Sequence, residues 1–393
     1  MVLDTNTKLT VDQIDWTAFR QEMPVSEKWA YFDHAAVAPI PRVARERLSV
    51  WAEQAAFEGA TCWPNWFRQH EDLRDLTAQV INAKPQEIAL IPNTTFGINL
   101  VAGGLPWEAG DNVVLPDHEF PSNLYPWMQL ESLGVELRLV PLDGNRVCPA
   151  RMAEACDRRT RVVSASWVGY ASGYRLDPME IGKVAHDCGA LFFLDAIQGL
   201  GVFPLDVQAA GVDFLAADGH KWLLGPEGAG VFYVRHELLE MLQPMNIGWN
   251  SVKQGNDFGK IDLKYREAAS RYEGGTQNMA GFIALGASLE LLTEFGLCSD
   301  RSPIAEQVLS VSDELCEALQ ECGAVVLSDR DAATKTGIVS FDYHQKTTTE
   351  DRLKLLEKGV VVSCRGGKLR AAVHCYNDAN DIDRLVEALQ TLD

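Results

Sequence analysis

The chain has 393 residues, 47% hydrophobic and 23% charged, with a formal net charge of −20 at pH 7. That length exceeds one small core and calls for a large and a small domain, while the acidity excludes a nucleic-acid partner, which needs a basic stripe. Nine scattered cysteines without a Cys-x-x-Cys pair, an N-terminus without signal-peptide character and the lack of a spanning apolar run predict a cytoplasmic protein with no membrane partner and no metal site.

From residue 30 to 235, strands and helices alternate, which predicts a mostly parallel α/β sheet. Ile88-Ala89-Leu90-Ile91 reads as a strand, and Asn93-Thr94-Thr95 caps a helix carrying Phe96, Ile98, Leu100 and Val101. Strands follow at 112–115, 137–140, 161–164, 190–194 and 214–217. Gly230-Val231-Phe232-Tyr233-Val234 closes the series, antiparallel to its neighbour. The stretch 243–275 is irregular, and a helix runs over 281–295. Beyond Asp300 the pattern changes to a smaller α+β unit. It has helices over 305–321 and 351–358, strands at 325–327 and 337–341, a strand pair formed by 360–362 and 369–372, and a closing helix from Asp381. The expected units are an N-terminal segment, 1–30, packing on the small domain, a large domain, 31–285, and a small domain, 286–393.

Two strand ends carry the chemistry. The run ending in Leu194 delivers Asp195-Ala196-Ile197-Gln198, and the run ending in Ala217 delivers Asp218-Gly219-His220-Lys221-Trp222. Ligands of open α/β sheets bind at that edge. A lysine amine, a buried carboxylate and nearby donors suit pyridoxal 5′-phosphate (PLP), which needs an amine for a Schiff base and an acid for its ring nitrogen. Lys221 is the amine and Asp195 the ring-nitrogen partner. Gln198 donates to the phenolic oxygen. Thr94 and Thr95, at a helix start, form an anion site with His220 and Thr276. Phe120, just past a strand, stacks on the ring. Arg370, in Leu369-Arg370-Ala371-Ala372, fits a substrate α-carboxylate with its fork of donors, and Arg365-Gly366-Gly367 before it reads as a flexible turn. Trp63, Trp66, Trp167 and Trp249 read as core residues rather than pocket walls.

These motifs resemble the class V aminotransferase family of PLP enzymes, which includes cysteine desulfurases, selenocysteine lyases, isopenicillin N epimerase-like proteins and, more distantly, kynureninases. The resemblance runs from Tyr31-Phe32-Asp33-His34 to Asp381-Ile382-Asp383, and includes Arg271-Tyr272-Glu273-Gly274-Gly275-Thr276 and His374-Cys375-Tyr376-Asn377. It implies the PLP-dependent transferase fold type I, with a mostly parallel seven-stranded sheet and a small α+β C-terminal domain. It also implies a homodimer in which the Thr276 motif reaches the partner's phosphate. Departures decide the expected reaction. Desulfurases carry Glu-His where this chain has Glu119-Phe120, and Phe120-Pro121-Ser122-Asn123 and Tyr170 sit closer to the kynureninase and epimerase side. On that resemblance Tyr170 and Asn123 join Arg370 at the substrate. Cys364 alone lies where desulfurases keep a nucleophilic cysteine, on a short loop. The first expectation is therefore an epimerase-like or C–S/C–Se lyase-like enzyme acting at Cα of an amino acid. A cysteine desulfurase using Cys364, a transaminase and a non-catalytic PLP-binding protein are the alternatives.

Overall fold

The structure, a computed structural model, describes residues 10–343 and 349–392. Residues 1–9, where the sequence was read for a signal peptide, lie outside the described residues. The strands in chain order are β1 (Ala30–Tyr31), β2 (Ile88–Ile91), β3 (Asn112–Pro116), β4 (Glu136–Val140), β5 (Thr160–Ser166), β6 (Leu191–Asp195), β7 (Phe214–Asp218), β8 (Gly230–Val234), β9 (Val325–Val326), β10 (Ile338–Asp342), β11 (Val360–Val361), β12 (Ser363–Arg365) and β13 (Lys368–Ala372). Seven of them form one sheet in the order β2-β8-β7-β6-β5-β3-β4. Strand β8 is antiparallel to both neighbours, and the other pairs are parallel.

Strands β7 and β8 are buried along their whole length. Helices covering both faces of a parallel sheet demand such continuous apolar runs. The chain leaves β3 for β4 on one side and returns to β5 on the other. A crevice therefore opens at their C-terminal ends, where ligands of such sheets bind. Helices Arg42–Phe57 and Trp63–Val80, which the sequence left unassigned, pack against Met279–Glu294. Arg42–Phe57 buries little besides Ala44 within the chain, which explains its weak apolar signature. The expected domain boundary at 285 falls inside Met279–Glu294. Among the described residues no helix is long and apolar enough to cross a membrane.

The C-terminal region corrects one pairing. Strand β11 does not pair with β13; it lies parallel to β1, joining Ala30 to Val360. The partner of β13 is β12, through a hairpin in which Gly366 and Gly367 have φ of 56° and 77°. Two consecutive positive φ values make the tight turn whose twist matches the strands it joins, so this segment is a formed hairpin. The sheet continues as β12-β13-β10-β9. Arg20 anchors the N-terminal segment here, pairing with Asp381 at 2.7 Å and Asp378 at 3.1 Å.

Candidate active site

A cavity of about 330 Å³ lies at the C-terminal edge of the large sheet. Strand β6 delivers Asp195 to it, β7 ends in Asp218, and the turn after β7 delivers His220 and Lys221. Helix Thr94–Gly104 points its N-terminus into it. Asn93 caps that helix by accepting from Phe96 N at 2.8 Å. The helix approaches the sheet closely because Gly97 has no side chain: a Cβ there would lie 2.6 Å from Ala216 Cβ. Thr94 Oγ1 is consequently buried at the cavity with no protein partner. Thr95 donates to Ser122 at 2.8 Å.

The turn after β3 supplies Phe120. His118 takes φ of +60°, a conformation that bulky residues rarely adopt, and this reversal separates the two side chains that follow. Glu119 turns inward, accepting from Ser166 N at 2.7 Å and from the Ser166 hydroxyl. Phe120 turns to the cavity, edge-on to Tyr170 with ring centroids 5.2 Å apart. Lys221 Nζ lies 5.6 Å from the centre of the Phe120 ring.

Burial sets the electrostatics. Desolvation raises Asp195 to about 6, against the opposing hydrogen bond from Ile197 N (3.1 Å) and the charge of Lys221. Desolvation lowers Lys221 to about 8, against the pull of Asp195. Glu119 is pushed up to about 7, chiefly by burial and further by Asp195, despite the Ser166 bonds. His220 Nδ1 sits 3.0 Å from Asp218 Oδ1, close but not aligned as a hydrogen bond, so both atoms remain unsatisfied. Gln198 is fixed by Trp222, which donates to its Oε1 at 2.8 Å, and by its own donation to Ala35 O at 3.0 Å. One amide hydrogen of Gln198 is left over.

Arg370 reaches the same cavity from β13. Its Nε donates to Ser363 Oγ (3.0 Å), Nη1 to Tyr170 O (2.5 Å) and Nη2 to Asp33 Oδ1 (3.3 Å). Of five guanidinium hydrogens, one on each terminal nitrogen remains, the pair a carboxylate takes bidentately. Burial lowers Arg370 to about 10, with Asp33 opposing.

Three expected residues stand elsewhere. Asn123 is fully buried beneath the cavity, its Oδ1 accepting from Ser164 Oγ (2.8 Å) and Trp127 Nε1 (3.0 Å), so it does not face a substrate. Thr276 is exposed and does not line the cavity of its own chain. Cys364 sits on β12 between Ser363 and Arg365, both of which face the site. Alternation along a strand turns the residue between them to the opposite face. Of the four tryptophans, Trp66 and Trp167 are buried, Trp63 and Trp249 are partly exposed, and none lines this cavity. The sequence marked Glu119 only as the neighbour of Phe120. Its signal, a carboxylate in the turn just past an apolar strand, is weaker than that of Asp195, which ends one.

Residues 30–385 match the class-V aminotransferase family. The chain belongs to that family. A probable cysteine desulfurase of Methanothermobacter thermautotrophicus is 32% identical over 396 residues, covering 95% of this chain and 97% of that protein. The apo structure of a cysteine desulfurase from Thermococcus onnurineus superposes with a TM-score of 0.85 at 26% identity, covering 96% of this chain and 97% of the other. A cystine C–S lyase solved with its product, cysteine persulfide, gives 0.86 at 25% identity, covering 94% and 99%. The family's cofactor is PLP, and this cavity fits it. The unpartnered Thr94 hydroxyl at a helix N-terminus suits a phosphate, the buried carboxylate of Asp195 suits a ring nitrogen, and the Lys221 amine lies in the same cavity, 5.6 Å from the centre of the Phe120 ring.

Proposed function

We propose that this chain is a PLP-dependent enzyme that breaks the Cβ–S bond of L-cysteine or a cysteine derivative. The observation that carries the reading is that Lys221, Asp195 and Arg370 line one cavity, in a chain about 30% identical to cysteine desulfurases. These relatives support the cysteine desulfurase alternative better than the epimerase-like or lyase-like first expectation.

Thr94, Thr95 and His220 hold the phosphate, with Thr276 of a second copy as the contribution expected from a homodimer. Phe120 covers one face of the ring, and Gln198 gives its spare amide hydrogen to the phenolic oxygen. Asp195, with no other cation in contact, keeps a proton on the ring nitrogen. When bound, PLP supplies an electron sink for the charge left at Cα. Arg370 grips the substrate α-carboxylate and so fixes which Cα bond faces Lys221. Lys221, lowered to about 8, has a neutral fraction at physiological pH and takes the Cα proton. Tyr170, on the Phe120 edge, walls the substrate side.

The fate of sulfur separates two readings. A desulfurase passes it to a cysteine thiol and releases alanine. A lyase releases it to solution, with pyruvate and ammonium as the other products. The orientation of Cys364, away from the face that Ser363 and Arg365 share, favours the lyase exit. The test is incubation with L-cysteine and L-cystine, scoring alanine, pyruvate and sulfide in wild type and Cys364→Ala. Alanine lost in Cys364→Ala establishes the desulfurase. Pyruvate formed equally by both proteins establishes the lyase. Sulfur retained with Cα deuterium exchange returns the reading to an epimerase.

A further inference from the structure

A second cavity, of about 390 Å³, adjoins the first and shares Tyr170 and Arg365 with it. Its walls come from both domains: the turn after β3 and residues 169–174 on one side, and Ser340, Arg365 and Lys368 on the other. A thiol substituent needs no such space.

The β12–β13 hairpin explains what this space is built to receive. Ser363 faces Arg370 and Arg365 faces Lys368 across the ladder. Residues directly opposite in an antiparallel pair lie on the same face, as do alternate residues of one strand. Arg370, Lys368 and Arg365 therefore form a cationic row facing the two cavities. Asp33 answers Arg370, and Asp342 answers Lys368. Arg365 donates to the carbonyl of Cys364 at 2.9 Å, and among the described residues no carboxylate lies within ion-pair distance of it. The unmatched cation thus stands where the cavities meet. Asp117 and Glu119 line the large-domain wall of the second cavity and disfavour an anion deeper inside.

We propose that the second cavity is the subsite for the S-substituent of a cysteine S-conjugate, and that Arg365 binds a carboxylate carried by that substituent. The proposal rests on the C–S cleavage reading above. Arg370 takes the α-carboxylate, the Cβ–S bond lies between the two arginines, and the substituent passes Tyr170 to reach Arg365. When that bond breaks, the sulfur leaves with its substituent and gains a proton as a thiol. With one water consumed, the three-carbon remainder becomes pyruvate and ammonium, and no oxidant or reductant is needed.

The test compares S-(2-carboxyethyl)-L-cysteine with S-propyl-L-cysteine, which has the same length and no charge. Wild type is expected to favour the acid by about tenfold or more in kcat/KM, the discrimination a carboxylate–arginine contact provides. Arg365→Gln brings the ratio close to one, and Arg365→Lys keeps part of it. Calorimetry with PLP-loaded Lys221→Ala reads the same preference as binding without turnover. Asn145→Trp, which fills the second cavity from an exposed turn, weakens binding of both conjugates. Equal binding of acid and propyl compounds, or a preference that survives Arg365→Gln, overturns the subsite. If L-cysteine and L-cystine also release no sulfur, the cleavage reading fails separately, and the calorimetric ratio still decides the role of Arg365.

Discussion

Asp195 is held in a state that costs the empty protein stability. Its folded carboxyl titrates near 6, above the ordinary 3.8. The unfolded chain therefore sheds this proton first, and the fold loses stability as pH rises from about 4 through 6, staying lowered above that. Asp195→Asn is expected to stabilise the cofactor-free protein at pH 7.5 by about 2–3 kcal/mol, while weakening PLP binding; urea melts at pH 4 and pH 7.5 check it, with a smaller difference at pH 4. Lys221 moves the other way. The cofactor-free protein should capture PLP faster as pH rises through about 8, because the neutral amine is the nucleophile. Stopped-flow absorbance follows that rise, and Lys221→Ala should abolish it. Both residues were legible in the sequence, since Asp195 ends a continuous apolar run and Lys221 follows closely on another. Asn123 was misread because proximity to Phe120 in sequence does not fix direction, and a short helical turn sends the two side chains apart.

Helix Thr94–Gly104 shows how an element builds a site from small parts. Its apolar content and Asn93 cap were readable, and they set its N-terminus at the cavity. Thr94→Val keeps the shape and removes the unpartnered hydroxyl, so PLP affinity should fall by about tenfold, roughly the 1.4 kcal/mol of a lost hydrogen bond. Fluorescence titration of the cofactor-free protein measures this. Gly97→Ala tests the close approach instead. Pushing a methyl to 2.6 Å from Ala216 Cβ should cost about 1–3 kcal/mol of stability and displace the helix. The β12–β13 hairpin was half legible. Gly366-Gly367 announced a turn, but the sequence did not say that β11 leaves to join β1, because short Val-rich strands carry no partner code.

At the scale of the whole molecule, residues far apart in the chain meet at Arg370, which joins Asp33 near the start to Tyr170 from the large domain. Arg20 makes a similar tie from the N-terminal segment to Asp381. Arg20→Ala leaves the buried Asp381 carboxylate short of its cation and should cost about 2 kcal/mol, with faster amide exchange confined to residues 16–31. The proposed homodimer places the exposed Thr276 at the site of a second copy. Light scattering is expected to give a dimer, and Thr276→Ala should weaken PLP binding in it; a monomer that binds PLP fully would refute that arrangement.

The sequence by itself determined the sheet, the cofactor and the Asp195–Lys221 pair, because each follows from local patterning: apolar runs make buried strands, and what ends them faces one edge. It also carried the family through motifs spread from Tyr31 to Asp383. Tertiary structure alone decided that Glu119 sits buried near Asp195, that Cys364 faces away from the cavity, and that Arg365 stands unmatched between two cavities. Those facts depend on strand register and on which distant groups answer which charge, and neither is written in the spacing of residues along the chain.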